Sequence, residues 1–177
     1  MDSRTIAAIS TAPGTAGVAI IRVSGPAAGH VALALTGRVP TPRCAALATL
    51  RDPVTGLALD RGLVLWFPAP HSFTGDNVLE LQVHGGRAVV AAVLRAVLSV
   101  DGVRPAEPGE FTRRSFENGR MDLAEVEGLA DLLQAETEAQ RRQAFALYSG
   151  RLTSEADRLQ QAILPVLAMV EASIDFP

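Results

Sequence analysis

The 177-residue sequence contains no lysine, and all 16 of its basic residues are arginine. A phosphate-binding loop of the GxxxxGK(S/T) type and a lysine Schiff base both require lysine, so this chain can form neither. Arginine is the better residue for forked recognition of a carboxylate or a phosphate. Any recognition of anions by basic side chains in this chain therefore depends on arginine.

Cysteine and long apolar runs are also scarce. The single cysteine, Cys44, has no partner for an intrachain disulfide, and its sequence context predicts a small buried side chain. The longest apolar run, Ala88–Leu94, stops at Arg95, far short of a membrane span. The histidines have no metal-ligand spacing with Cys44. We expect a cytoplasmic protein without a membrane span, and we predict no metal site and no catalytic residue.

Charge is distributed unevenly along the chain. Residues 1–104 carry 9 arginines and 6 acidic residues, a net charge of +3, whereas residues 105–177 carry 7 and 13, a net charge of −6. Aromatic residues make up only 5% of the sequence. The mildly basic first part suits an anionic small ligand, but it does not by itself indicate nucleic-acid binding.

The first hundred residues alternate short apolar runs with turns and contain one hairpin pattern. This arrangement predicts an α+β fold whose mixed sheet has about five strands and two or three helices. The predicted strands are residues 5–10, 17–23, 43–50, 58–67 and 78–84, and the predicted helices are residues 24–35 and 87–99. In the last strand, alternation places Leu79, Leu81 and Val83 on one face and Glu80 on the other.

A charged stretch, Pro108–Leu123, marks the change to a helical pattern. It holds two phenylalanines and two glycines among its charges, which favours a junction that also faces a ligand over a solvated linker. Residues 109–118 are predicted to form a short helix. We therefore predict a first domain over residues 1–119 and the first part of an all-helical domain over residues 120–177.

The helical part is predicted to contain two helices. Asp122 is a good N-cap, and Glu125 three residues later completes a capping-box pattern. One apolar stripe then continues until Gly150 interrupts it. The second helix, residues 152–174, has apolar residues in 4-3 spacing that require a partner helix, and Pro165 is predicted to kink it.

Three residues are candidates for ligand binding. Glu80 is flanked by leucines in its strand, and its carboxylate could accept hydrogen bonds from a ring N–H and an exocyclic amine, the edge that guanine and pterin share; the alternative is an exposed face of an edge strand. Arg22, near the end of an apolar strand, either extends into solvent or meets an anion. Arg22 and Arg120 could each grip a carboxylate, although each taken singly could be an ordinary surface arginine. His84-Gly85-Gly86 could offer backbone N–H groups to an anion or only satisfy turn geometry.

Several motifs occur in a fixed order along the chain. They are Ser10-Thr-Ala-Pro-Gly14, Ile20-Ile-Arg-Val-Ser-Gly-Pro26, Ser72-Phe-Thr-Gly75, Leu79-Glu-Leu-Gln-Val-His-Gly-Gly86, Pro108-Gly-Glu-Phe-Thr-Arg-Arg114, Asn118-Gly-Arg-Met-Asp-Leu123 and Ile174-Asp-Phe-Pro177. As an ordered set covering the whole chain, they closely resemble the N-terminal part of the tRNA-modification GTPase family known as MnmE or TrmE.

The resemblance implies a fold, a ligand and partners. The N-terminal domain would be similar to the folate-binding fold of aminomethyltransferases, bind 5-formyl-tetrahydrofolate or a related one-carbon tetrahydrofolate, and form a homodimer. A GTP-binding domain, with GTP, Mg and K, would interrupt the helical domain. With a flavin-dependent partner protein, such a family member modifies the wobble uridine of tRNA. The folate contacts of the family match Arg22, Glu80 and Arg120.

The sequence departs from the family pattern at a few positions. Arg120 stands where the family often has lysine, and Asp76-Asn77 stands where Glu-Asp is usual. The GTP-binding insert would follow Pro177, so we expect this chain to be part of a longer protein and inactive alone. A stand-alone folate-dependent aminomethyltransferase and a non-enzymatic interaction module are the alternatives.

Overall fold

The computed structural model describes residues 4–175, which divide into one unit that ends at Arg120 and a second that begins at Met121. Phe176 and Pro177, the end of the last motif, lie outside the described residues. The strands of the first unit are β1 (Thr5–Ile9), β2 (Ala16–Ser24), β3 (Ala46–Arg51), β4 (Ala58–Phe67), β5 (Val78–Gly85) and β6 (Val103–Pro105). Its helices are α1 (Ala28–Thr36), α2 (Arg87–Leu98) and α3 (Glu110–Glu117). The α+β prediction is confirmed.

The six strands form one mixed sheet in the order β3-β4-β5-β2-β1-β6. All neighbouring strands are antiparallel except β1 and β6, which are parallel. The prediction of about five strands missed β6, a three-residue strand that ends in proline. Because β5 lies between β4 and β2, the alternative that Glu80 belongs to an edge strand is wrong.

One face of the sheet forms the hydrophobic core with α1 and α2. Leu79, Leu81 and Val83 are buried in that core, as their alternation predicted. Glu80 lies on the opposite face, and Arg22 is its direct partner on β2. The two-layer arrangement thus leaves the second face of the sheet free to carry polar side chains.

Some predicted boundaries and one burial prediction are wrong. β3 begins at Ala46 because Arg43 has φ 61, a left-handed conformation that cannot continue a strand. The helix predicted from residue 24 begins at Ala28, since Gly25 has φ 133. Cys44 is exposed rather than buried, because it lies in the turn before β3 and not on the core face.

The second unit contains three helices among its described residues, not two. They are α4 (Leu123–Gln134), α5 (Glu138–Tyr148) and α6 (Arg151–Asp175). The predicted capping box of Asp122 and Glu125 is present. The continuous apolar stripe concealed a break at Ala135, whose ψ of 122 is extended, and a second capping box at Thr137 and Gln140 starts α5.

The long helix α6 runs through Pro165, and the kink there stays a prediction. None of the described residues of α6 is buried, and its apolar seam is exposed along its length. The need for a partner helix, inferred from the 4-3 spacing, is consistent with this exposure.

Candidate ligand-binding site

The register of β2 and β5 brings two of the predicted site residues into contact. Arg22 and Glu80 are cross-strand partners, and Arg22 donates from Nε to Glu80 Oε1 over 2.9 Å. Its Nη2 also lies 2.8 Å from the same Oε1. Among residues 4–175 no group donates a hydrogen bond to Glu80 Oε2. Arg22 therefore meets an anion, as one of the two alternatives proposed, but that anion belongs to the protein itself.

Two aromatic rings hold the guanidinium of Arg22. Its central carbon lies 5.3 Å from the ring centre of Phe73 and 5.8 Å from that of Phe111. Phe111 belongs to α3, and Phe73 belongs to the β4–β5 loop (residues 68–77). Cation–π attraction at these distances restrains the guanidinium and, through it, Glu80.

Hydrogen bonds fix the β4–β5 loop against α3 and β2. Ser115 Oγ donates to the carbonyl oxygen of Phe73 over 2.8 Å, and Asn118 Nδ2 donates to that of Thr74 over 2.7 Å. The hydroxyls of Ser24 and Thr74 are 2.7 Å apart and buried. The Ser72–Gly75 motif is thus tied down on two sides, which holds Phe73 in place over Arg22.

The end of α3 positions Arg120. Gly119 has φ 65, and its N–H bonds the carbonyl of Phe116 over 2.9 Å. The N–H of Arg120 bonds the carbonyl of Ser115 over 2.8 Å. This pair of bonds is the Schellman arrangement, which requires a left-handed residue that glycine supplies at little cost. The Asn-Gly-Arg motif therefore fixes where the side chain of Arg120 leaves the backbone.

An open cleft of about 680 Å³ lies beside Glu80, Phe73 and Arg120 on the first unit. Its lining residues are Arg43, Phe67, His71, Ser72, Phe73, Val78, Glu80 and Arg120. The structure thus brings the predicted residues Glu80 and Arg120 to one cleft. Arg22 is not part of the lining, and it contacts the cleft only through Glu80 and Phe73.

Sequence reasoning missed the side of the cleft formed by Arg43 and Phe67. The guanidinium of Arg43 lies 5.7 Å from the ring centre of Phe67, and it donates a hydrogen bond to the carbonyl oxygen of His71. Arg43 was predicted to begin a strand. Pro42 directly before it is a turn signal that could have set Arg43 apart.

Glu110 was one of the charges that suggested a ligand-facing junction, but it is a buried structural residue. Arg104 donates to both of its carboxylate oxygens, over 2.8 and 2.6 Å, and Arg114 donates over 3.1 Å. The backbone N–H of Glu107 adds a fourth bond over 2.9 Å. The hydrogen bonds from Arg104 lower the pKa of Glu110 from 4.5 to about 2. Burial of the carboxylate opposes this shift, and the bonds from the Glu107 N–H and from Arg114 add to it. Of Glu110 and Arg120, both in the charged Pro108–Leu123 stretch, only Arg120 lines the cleft.

The His84-Gly85-Gly86 turn is explained by strand packing. The ring Nδ1 of His84 lies 2.8 Å from Asp60 Oδ1, and its backbone N–H donates to Asp60 Oδ2 over 2.8 Å. A Cβ on Gly85 would come within 2.4 Å of the carbonyl oxygen of Ala16, so the close approach of β2 and β5 requires glycine there. The geometric alternative accounts for this turn.

Neither metal-ligand clusters nor membrane-spanning helices occur in the described part of the chain. Residues 4–175 contain no group of three or more His, Cys, Asp or Glu side chains that could hold a metal ion. No helix within the same range has both the length and the apolar character that crossing a membrane requires.

Comparison with known families assigns both parts of the chain. The family model described as "GTP-binding protein TrmE N-terminus" matches residues 5–120, and the model described as "MnmE helical domain" matches residues 123–177. The chain belongs to the MnmE (TrmE) family. The resemblance inferred from the ordered motifs is confirmed.

Individual MnmE relatives align over nearly the whole chain. The tRNA modification GTPase MnmE of Parvibaculum lavamentivorans is 57% identical over 174 residues, which are 98% of this chain and 40% of the relative. MnmE of Caulobacter vibrioides is 54% identical over 98% of this chain and 38% of its own length. The human mitochondrial 5-taurinomethyluridine-[tRNA] synthase subunit GTPB3 is 55% identical over 97% of this chain and 35% of its own length. The chain therefore corresponds to the N-terminal region of MnmE and spans 40% or less of these relatives.

Proposed function

We propose that this chain is the tetrahydrofolate-binding module of a tRNA-modifying GTPase, with 5-formyl-tetrahydrofolate or a related one-carbon tetrahydrofolate as its ligand. Membership of the MnmE family supports the general assignment. A cleft of about 680 Å³ suits a ligand of this size, since small-molecule sites commonly fall between about 300 and 1,000 Å³. GTP hydrolysis with Mg and K belongs to a separate domain, because a lysine-free chain has no GxxxxGK(S/T) loop.

The observation that carries this proposal is the half-used carboxylate of Glu80 at the cleft. Arg22 occupies Oε1 and fixes the group, while Oε2 accepts nothing from the described residues. A pterin edge offers a ring N–H and an exocyclic amine, and both need acceptors when water is displaced. Glu80 reads this edge, Arg22 orients Glu80, and Arg120 holds a polar or anionic part of the folate.

The proposal extends to the partners of the module. The first unit forms a homodimer, and exposed apolar side chains support self-association: Val18, Leu47 and Leu63 line a second groove on this unit. In the whole protein the module acts in the cytoplasm with a flavin-dependent partner protein on the wobble uridine of tRNA.

Isothermal titration of 5-formyl-tetrahydrofolate tests the ligand assignment. Glu80→Gln keeps the shape of the side chain but replaces an acceptor oxygen by a donor, so we expect binding about 10- to 100-fold weaker than for wild type. Glu117→Gln is the matched control, because it makes the same chemical change at an exposed glutamate of the first unit that does not line the cleft. It should bind as wild type does. Absence of binding by wild type, or equal binding by wild type and Glu80→Gln, would contradict the assignment.

A further inference from the structure

Arg43 differs from the other residues of the cleft in its backbone. With φ 61, it is the one non-glycine residue among those described that has a positive φ. The turn is closed by backbone groups, since the N–H of Arg43 bonds the carbonyl of Trp66 over 2.8 Å and the N–H of Cys44 bonds that of Thr41 over 3.2 Å. Glycine or asparagine would meet these needs with less strain. A long side chain kept in a strained conformation at a cleft indicates a functional role.

The side chain of Arg43 is held in place without being neutralised. Its guanidinium lies over Phe67 and donates to the carbonyl of His71, so its direction at the edge of the cleft is restrained. Within the described residues no carboxylate forms an ion pair with it, whereas Arg22 is paired with Glu80. Arginine has five N–H donors, so most of those of Arg43 remain for a ligand.

The charges of the cleft select a ligand with two different ends. Glu80 supplies a carboxylate with an open oxygen, while Arg43 and Arg120 both lack an ion-pair partner among residues 4–175. A fitting ligand carries N–H donors at one end and at least one carboxylate at the other. Folates have this form, with a pterin ring at one end and glutamyl carboxylates at the other.

We infer that Arg43 binds a carboxylate of the glutamyl tail and so makes the cleft select folates over pterins that lack this tail. This inference rests on the proposed folate-binding function. Its fixed, forked guanidinium suits a carboxylate, which accepts two parallel N–H bonds. Glu80 recognises the ring and Arg43 recognises the tail, so the two residues should respond differently to removal of the tail.

Titration with two ligands separates these roles. 5-Formyl-tetrahydrofolate carries the tail, whereas 5-formyl-6-methyltetrahydropterin carries the ring without any carboxylate. We expect Arg43→Ala to weaken folate binding about 10- to 100-fold and to leave binding of the pterin within about twofold of wild type. Glu80→Gln should weaken both ligands. Arg38→Ala is the matched control, because Arg38 is exposed, precedes the same turn and does not line the cleft.

A second variant at the same position distinguishes a loss of ligand binding from a loss of stability. Arg43→Gly suits the left-handed backbone, so its unfolding midpoint should be at least as high as that of Arg43→Ala, yet folate binding should be equally weak. Folate binding by both variants within about twofold of wild type would overturn the inference while leaving the proposed function intact. Parallel loss of both ligands in Arg43→Ala would also overturn it. If wild type bound neither ligand, the proposed function itself would fail, and the inference with it.

Discussion

Two glutamates of the first unit, Glu80 and Glu110, are both bound by arginine but are used very differently. Glu110 accepts bonds at both oxygens from Arg104, with further bonds from Arg114 and a backbone N–H, and its side chain is 2% exposed. Glu80 receives Arg22 at one oxygen only, and its side chain is 16% exposed at a cleft. A carboxylate whose acceptors are all occupied can only support the fold, whereas one with an open oxygen can also bind a ligand.

The largest expected effect on stability is at the saturated carboxylate. Glu110→Gln preserves the shape of the side chain but leaves two arginines near a neutral amide, so we expect a loss of about 3 kcal/mol in the free energy of unfolding. Chemical denaturation followed by the fluorescence of Trp66, the only tryptophan in the sequence, reports on this unit. Glu117→Gln, on the exposed side of the same helix, is the control and should be nearly neutral. Equal stabilities of Glu110→Gln and Glu117→Gln would contradict the structural role assigned to Glu110, and with it the distinction between Glu110 and Glu80.

Acid should remove the same stabilisation in wild type. The ordinary pKa of Glu110 is 4.5, and its bonds to Arg104 lower the pKa in the folded state to about 2. The unfolded chain therefore takes up this proton first, and about 3 kcal/mol of stability is lost as the pH falls from about 4.5 to about 2. Stability measured across this range should fall more steeply for wild type than for Glu110→Gln. Parallel curves for the two proteins would show that Glu110 is not the group responsible.

The smallest expected effect is at an exposed pair next to Glu110. Glu107 Oε2 lies 3.2 Å from Arg113 Nη2, and the two side chains are 65% and 54% exposed. Because water screens such a pair, Glu107→Ala should change the free energy of unfolding by less than about 0.5 kcal/mol, and its backbone N–H can still bond Glu110. The same denaturation measurement checks this. A loss as large as that of Glu110→Gln would mean that contact with arginine, and not burial with saturation, decides the importance of a glutamate here.

Local pattern was sufficient for most of the first unit. The alternation around Glu80 predicted which face of β5 is buried, because strand side chains alternate with a period of two. It could not predict β6, whose three residues are too short to show a period, or the helix break at Ala135, where the apolar stripe continues across an extended residue. Sequence patterns also placed Arg43 in a strand, because Pro42 signals a turn but does not indicate that the next residue adopts a left-handed backbone.

The site was predicted residue by residue but not as an arrangement. Glu80 and Arg120 were chosen for their chemistry, and they do line one cleft. Their shared location depends on sheet register and on the turn after α3, which are long-range properties. Because such properties are long-range, the sequence also did not reveal that Arg22 pairs with Glu80, 58 residues away. It likewise did not reveal that Glu110 is buried, although the surrounding stretch is rich in charge. A glutamate's role depended here on which of its oxygens were already occupied.

The most direct test of the central claim is the thermal unfolding of Glu80→Gln with and without 5-formyl-tetrahydrofolate, measured by differential scanning calorimetry beside wild type. Without ligand, we expect the variant to lose only about 1 kcal/mol, less than Glu110→Gln, because Arg22 engages a single oxygen of Glu80 and the amide oxygen of glutamine can still accept from it. Ligand at 100 times its Kd should stabilise wild type by about 2.7 kcal/mol and the variant far less. A variant that is as unstable as Glu110→Gln without ligand, or one that keeps the full ligand-induced shift, would contradict the assignment of Glu80 as a binding residue.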